Sequence, residues 1–443
     1  MSPQKLLQQM IGMTLVLLLL IGCATPTFTP VLPTTTPVLQ TLSATTVQPS
    51  AIPTTPSTET PVPTKTPTPF VPKATIKIVS HGPLTGEEAI VGTDLMRGAE
   101  LAVKQLTESM MEMGFKVELV TYDDQNDIGV AVANAKEIVA DPEILCGVGH
   151  YTSRVFVQVQ EIYHQAALAF VAPSTTLAFV TANGYPEVNR VVGRNDGQGA
   201  AGARFAKAQG FARVFIISES SDYAQFNAYH FINEPNRIGV EIVGNMKTDA
   251  LENFEWLIDR VMATNADLVY FSTIRADQGG AFFREARAAG YLGAFLGPDA
   301  FDIPALLEFA GPLLIDGGGF YYTTMAAPAS DYPEAAGFVV DFETLYGVTP
   351  QLYSAQAYDA AAICMRAIQE ASNAKAGELP TRAEVTTAIR ALQDYRGITG
   401  IFNFNLNGDP DPAQYFVFQV VSADPDDWSQ NALVSSFDLA PPK

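Results

Sequence analysis

From residue 74 to about residue 392, short runs of β-branched and aliphatic residues alternate with longer stretches whose apolar positions recur every three or four residues. Residues 75–79 (TIKIV) predict a strand. The helix after it carries Leu95, Ala99, Ala102, Leu106 and Met110 on one stripe, a spacing that turns a single face toward a sheet. A strand at 115–121, a helix at 129–139, a strand at 144–148, a helix at 154–166 and a strand at 168–171 follow. This βαβαβαβ order predicts a parallel sheet covered by helices. A second series has strands at 213–217, 240–243, 268–271 and 294–296, again separated by helical stretches. Residues 317–322 then precede helices around 333–345, 354–372 and 382–392. Residues 401–405 and 415–421 predict a hairpin-like pair around Asn407-Gly408-Asp409, with the chain returning to an earlier lobe. The expected fold class is α/β: two doubly wound parallel-sheet lobes.

The N-terminal pattern is different. Lys5 precedes an apolar run at 10–21 (MIGMTLVLLLLI) that stops at Gly22-Cys23. A spanning helix needs roughly 20 apolar residues, so this run predicts an export segment. Leu20-Ile21-Gly22-Cys23 resembles the bacterial lipobox, in which the thiol is diacylated and the chain is cut before the cysteine. The blander reading is an ordinary signal peptide with a fortuitous Cys. Residues 24–73 contain 12 Pro and 16 Thr, with Glu59, Lys65 and Lys73 as the only charges. Such a stretch cannot bury a core and predicts an extended, partly polyproline tether. The expected organisation is therefore a signal peptide at 1–22, a lipidated Cys23 with its tether at 23–73, and a globular part held at the outer face of the cytoplasmic membrane.

Charge and cysteine usage narrow the class further. The 443 residues hold 26 Lys+Arg against 47 Asp+Glu, a formal charge of −21. That acidic surface excludes nucleic acid, whose phosphates need a basic footprint. The chain has three cysteines. With Cys23 lipidated, Cys146 and Cys364 are expected as buried, inert free thiols. Four scattered histidines predict no metal centre, and no cofactor is expected. No Gly-rich nucleotide motif, HExxH or GxSxG elbow is present.

A set of motifs in register then carries a resemblance. His81-Gly82-Pro83-Leu84-Thr85-Gly86 is followed by Gly92 and Arg97-Gly98-Ala99-Glu100-Leu101-Ala102. Next come Tyr122-Asp123-Asp124, Gly149-His150-Tyr151-Thr152-Ser153, Ala172-Pro173-Ser174-Thr175-Thr176 and Arg190 through Asp196 to Gln198-Gly199. Gly297-Pro298-Asp299, Tyr353 with Ala357-Tyr358-Asp359-Ala360-Ala361, Gly397-Ile398-Thr399-Gly400 and Asn407-Gly408-Asp409 complete the set. Over about 75–421 the chain resembles the leucine/isoleucine/valine-binding protein family, type I periplasmic solute-binding proteins of ABC importers. The resemblance implies two lobes joined by a three-stranded hinge with a ligand cleft between them. Crossings near 193–196, 323–328 and 394–399 would give lobe one as 74–194 plus 327–395, and lobe two as 195–326 plus 396–443.

The family implies capture of a small solute by hinge closure, most simply a branched-chain amino acid, with the ABC permease membrane subunits as partner and a monomer as the working form. Binding or sensing of an amide, urea or an aromatic acid on the same fold is the alternative. Buried charges of a zwitterion must both be met. Ser153, opening helix 154–166, offers a hydroxyl and an N–H to the carboxylate. Thr176 offers a hydroxyl, and the Ser174 carbonyl an acceptor for the ammonium. Asp299 is the acid from the opposite lobe, Tyr223 the aromatic contact, and Tyr151 a flank of the pocket. The plainer readings are a helix cap for Ser153, turn residues for Thr176 and Asp299, and packing for Tyr223.

Some positions depart from the family. Arg154 follows Ser153 where a small residue is usual; it points to solvent, or it reaches the cleft and favours an acidic ligand. Val91 replaces an aromatic. Asn126 and Thr152 stand where disulfide-bearing members have cysteines, so that bridge is absent. His150 and Cys146 near Ser153 raise a lipid-anchored hydrolase as a remote alternative, against which no acid is expected to orient His150.

Overall fold

The computed structural model describes residues 70–247 and 253–442; Cys23, the export segment and the tether as far as residue 69 lie outside the described residues. Lobe one is built on β1 (Ala74–Gly82), β2 (Phe115–Asp123), β3 (Ile144–Gly149), β4 (Ala169–Ala172) and β5 (Val188–Arg190). Their order is β2-β1-β3-β4-β5, and all pairs are parallel. The order reverses between β1 and β3, the switch point where open α/β sheets leave a crevice at the strand C-termini.

Helices cover both faces. On one face α1 (Ala89–Glu112), α10 (Ser354–Ala374) and α11 (Arg382–Ala391) bury Leu95, Ala99, Ile363, Ile368, Val385 and Ile389 against Ile76, Ile78 and Val148. On the other, α2 (Ile128–Ala140) and α3 (Ser153–Gln165) bury Ala131, Ala135, Val155 and Val159 against Val79, Ile144 and Phe170. The α1–α10 crossing is close because Gly98 lacks a side chain: a Cβ there would lie 2.1 Å from the Ser354 carbonyl oxygen.

The expected free thiols are corrected here. Cys146 of β3 and Cys364 of α10 form a disulfide with Cα atoms 5.8 Å apart and a sequence separation of 218. Small side chains on α10, such as Ala357, Ala360, Ala361 and Ala367, let the helix settle close enough for the sulfurs to meet. Nothing local announces such a pairing.

Lobe two contains α4 (Gln198–Ala208), β6 (Arg213–Ser218), α5 (Asp222–Asn233), β7 (Glu241–Lys247), α6 (Glu255–Ala263), β8 (Leu268–Ser272), α7 (Ala276–Ala288), β9 (Ala294–Gly297), α8 (Leu306–Ala310) and β10 (Phe320–Thr324). β10 starts later than the hydrophobic pattern suggests because Gly317 and Gly319 take positive φ of 60° and 78°, turning the chain before the strand. The helix expected from 333 likewise begins as α9 (Ala336–Tyr346), after a 3₁₀ turn at Pro333–Ala335.

The C-terminal pairing also differs from expectation. β11 (Tyr395–Arg396) pairs with β12 (Ile401–Phe402), while β13 (Ala413–Gln419) lies antiparallel between β10 and β14 (Ala432–Leu439). The second sheet is therefore seven-stranded, β14-β13-β10-β9-β8-β6-β7. Residues 401–405 and 415–421 do not form a hairpin because Asn407-Gly408-Asp409 is held by lobe one instead. Arg190 Nε bonds Asp409 Oδ1 at 2.7 Å with both side chains buried. A Cβ on Gly408 would meet the Val188 carbonyl oxygen at 2.1 Å.

The chain passes from the first sheet to the second between β5 and β6, returns after β10, and passes again between α11 and β13. The last passage is braced by Asp359 of α10. Its carboxylate accepts from the Ile398 and Thr399 N–H groups, each at 2.8 Å, and from the Thr399 hydroxyl. Burial pushes the Asp359 carboxyl up to about 6 despite those donors.

Candidate functional site

The lobe-one rim is made by the segments that leave β3 and β4. Ser153 is the first helical residue of α3, one position earlier than expected, with Thr152 as N-cap. Its Oγ accepts the Leu177 N–H at 3.2 Å, tying the two segments together. The buried Ser174 hydroxyl donates to the Tyr151 carbonyl at 2.8 Å. The Thr176 carbonyl accepts from Asn195 N–H at 2.8 Å, which fixes this segment to the first passage between the lobes. Arg190 stiffens it from below, donating to the carbonyls of Thr175 at 2.9 Å and Leu177 at 3.0 Å. The structure thus brings Tyr151, Ser153, Ser174 and Thr176 into one patch.

A second patch belongs to lobe two. Asp299 opens a 3₁₀ turn after β9, and Tyr223 sits in the first turn of α5, whose N-cap Ser221 accepts from Ala224 N–H. The Tyr223 hydroxyl donates to Asp299 Oδ1. Gln198, at the start of α4, completes a clamp that the sequence reading did not single out as a site residue. Its Nε2 donates to Asp299 Oδ1 at 2.8 Å, while its Oε1 accepts from the Asp299 N–H at 2.9 Å and the Thr323 hydroxyl at 3.0 Å. Burial raises the Asp299 carboxyl above the usual carboxylate range, against the lowering effect of Tyr223 and Gln198. The Tyr223 phenol is held well above its ordinary value by burial first, and then by the Asp299 charge.

Tyr353 links the two patches. It stands at the N-cap of α10 in a left-handed conformation, φ 73°, unusual for an aromatic residue. Its phenol is raised well above its ordinary value by burial, then by Asp299 and Asp302 of lobe two and Tyr151 of lobe one. It also packs against the lobe-one core and against the cluster of Val192, Met325 and Tyr415. Tyr353 was legible as part of a motif; its packing against both the lobe-one core and the Val192–Met325–Tyr415 cluster is a tertiary fact.

Arg154 does not carry its charge into this region: it is exposed, with its guanidinium on the Asn126 carbonyl. At the two positions expected to lack that family bridge, the Thr152 hydroxyl donates to Asn126 Oδ1 at 2.7 Å. Val91 is half-buried against the lobe-one core.

The expectation that no acid orients His150 is overturned. Asp124 Oδ2 lies 2.9 Å from His150 Nδ1, and both side chains are buried. The acid follows β2, which is separated from β3 in the sheet by β1, so the pair spans that strand and is distant in sequence. This does not assemble a hydrolytic triad, because His150 Nε2 faces the Tyr163 hydroxyl at 3.1 Å, while Ser153 Oγ is engaged by Leu177. His81, Asp124 and His150 also bring three ligating atoms within 4.8 Å of one another, the donor types of a divalent-metal site. All four ring nitrogens of the two histidines already have hydrogen-bond partners.

Two α/β lobes joined by three passages define a bilobal solute-binding protein of the type I periplasmic class. Residues 75–425 match the periplasmic binding protein family, and the chain belongs to it. An amino acid binding protein of Pseudomonas aeruginosa is 26% identical over 349 residues, 78% of this chain and 90% of that one. A leucine-, isoleucine-, valine-, threonine- and alanine-binding protein of the same organism is 25% identical over 347 residues, again 78% and 90%. The crystal structure of a leucine binding protein from Thermotoga maritima superposes with a TM-score of 0.61 at 25% identity, covering 82% of this chain and 99% of that one. An ABC transporter substrate-binding protein from Desulfitobacterium hafniense, solved in complex with Leu, shares the fold with a TM-score of 0.65 at 21% identity, covering 81% and 100%. Among the described residues no helix is long and apolar enough to cross a membrane.

Proposed function

We propose that the chain is the extracytoplasmic substrate-binding component of an ABC importer. It captures an amino acid, of branched-chain type, by closing its two lobes, and performs no catalysis. The observation that supports this reading is the Asp299–Tyr223–Gln198 clamp at the strand ends of lobe two, beside the Ser153–Ser174–Thr176 patch at the strand ends of lobe one. Asp299 supplies the acid for the ammonium. The carboxylate is met by the Ser153 and Thr176 hydroxyls and the first-turn N–H groups of α3, which have no partner within the helix. A ligand held from both sides stabilises the closed state over the open one, and only that difference moves a hinge. The names of the relatives support amino acids as the substrate class.

In this reading Cys23 carries the lipid anchor, residues 24–73 form the tether, and the protein works as a monomer beside the permease at the outer face of the membrane. Two or more acyl chains are needed for stable anchoring, which a diacylated cysteine provides.

Thermal denaturation of the purified chain against the common amino acids, short-chain amides, urea and aromatic acids tests the reading. At a ligand concentration of about 100 Kd, binding stabilises by roughly 2.7 kcal/mol, an upward shift of Tm by several degrees. The expected response is to leucine, isoleucine or valine. A response confined to amides, urea or aromatic acids would move the protein to the alternative. Turnover of ester or amide substrates that is abolished in Ser153→Ala would replace binding by hydrolysis.

A further inference from the structure

Beneath the lobe-one patch lies a buried polar chain that meets a proposed ligand contact at one point, the His150 carbonyl receiving the Ser174 hydroxyl. Its polarity can be read from one end. Asn134 Nδ2 donates to the Asp123 carbonyl at 2.8 Å, which fixes the orientation of its amide; the same nitrogen lies 3.3 Å from His81 Nε2. An amide nitrogen only donates, so His81 Nε2 is bare and Nδ1 carries the proton. That proton faces the Tyr163 hydroxyl oxygen at 2.9 Å. The phenol therefore gives its own hydrogen to His150 Nε2 at 3.1 Å, leaving His150 Nδ1–H to donate to Asp124 Oδ2 at 2.9 Å. His81, Asp124, His150 and Tyr163 are all essentially inaccessible to solvent. Residues from β1, α2, α3 and the ends of β2 and β3 are thus joined in one direction.

The chain continues to the rim. Asp124 Oδ1 accepts from Asn126 N–H at 2.9 Å, and Asn126 Oδ1 accepts from the Thr152 hydroxyl at 2.7 Å, one residue before Ser153. The carbonyls of His150 and Tyr151 in turn receive the Ser174 hydroxyl, at 3.3 Å and 2.8 Å. We propose that His81, Tyr163 and His150 are positioning residues. Their one-way hydrogen-bond relay to Asp124 sets the 149–153 segment, and through it the Ser153 and Ser174 groups that receive the ligand. The proposal rests on the amino-acid reading of that patch. A buried donor or acceptor left unpaired costs far more than a satisfied one contributes, so deleting the central link should disturb the whole run. A proton added at either Nε2 would meet a donor already aimed at it, so the relay requires both imidazoles neutral as Nδ1–H tautomers.

The test uses the full-length chain, with L-leucine as probe. Tyr163→Phe removes the link while keeping the ring. Val385→Ala, in the lobe-one core away from the loop, controls for general destabilisation. Calorimetric titration is expected to show Kd for leucine raised at least about tenfold in Tyr163→Phe and changed less than about twofold in Val385→Ala, at comparable losses of Tm. Unchanged affinity in Tyr163→Phe, or equal weakening in both, overturns the proposal. Nitrogen-15 imidazole spectra of the unmutated chain give a ligand-free readout, expected to show His81 and His150 as Nδ1–H tautomers. An Nε2–H tautomer at His150 overturns the relay even if leucine binds. Should the unmutated chain bind no amino acid, the amino-acid reading fails on its own, and the spectra still decide the relay.

Discussion

Asp299 combines two properties that pull against each other: it is the acid proposed to meet an ammonium, and burial raises its pKa. The ligand needs the deprotonated form. As pH falls through the raised Asp299 pKa, a growing fraction of sites is neutral and must release a proton to bind, so affinity should weaken with falling pH, beginning above the range of an ordinary Asp. Titration calorimetry between about pH 4.5 and 8 is expected to show proton release on binding at the acid end. A flat profile would take Asp299 out of the ligand's reach. Asp299→Asn keeps the shape and most of the clamp but leaves the ammonium without a counter-charge. Breaking a buried pair costs about 3–5 kcal/mol, so a loss of at least ~100-fold in affinity is expected, with far-UV circular dichroism unchanged.

At the level of elements, β3 and α10 have a shared duty. β3 runs directly into the 149–153 segment, and Tyr353 stands immediately before α10. The Cys146–Cys364 bridge joins these two elements beneath the site, and the Gly98–Ser354 contact presses α1 onto the same helix. Replacing both cysteines by alanine should lower stability by about 2–5 kcal/mol in chemical denaturation, because the crosslink restricts a long loop in the unfolded chain. Affinity should change little, since both cysteines are buried and neither is among the proposed ligand contacts. A double variant with wild-type stability would mean that packing of the alanine-rich face of α10 alone holds the two elements.

For the whole molecule, the proposed lobe closure depends on the passages between the lobes. Asp359 collects the Ile398 and Thr399 N–H groups at the last of them, and a Cβ on Gly397 would stand 2.5 Å from its Oδ1. Asp359→Ala removes the acceptor of three donors, the Ile398 and Thr399 N–H groups and the Thr399 hydroxyl, so the last passage loses its fixed path while both cores persist. Small-angle scattering should show the unmutated chain contracting on ligand addition. In Asp359→Ala the contraction should be reduced, with Kd raised roughly tenfold or more. Full contraction and unchanged Kd would assign Asp359 to packing alone.

Periodicity alone determined the βαβ order, the two sheets and most strands and helices, because a strand buried between helical layers must be apolar at nearly every position. Motif spacing located Ser153, Ser174, Thr176, Tyr223 and Asp299 at strand ends and helix starts. It could not supply Gln198 as the partner of Asp299, Asp124 as the acid on His150, the Cys146–Cys364 bridge, or the partners of β13, since each joins positions from 26 to 218 residues apart. Local pattern records which face of an element is buried. Which buried groups meet is decided by how closely the layers approach, and that depends on small residues such as Gly98 and on the hydrogen-bond demands of charges, such as Arg190, that only the folded interior can satisfy.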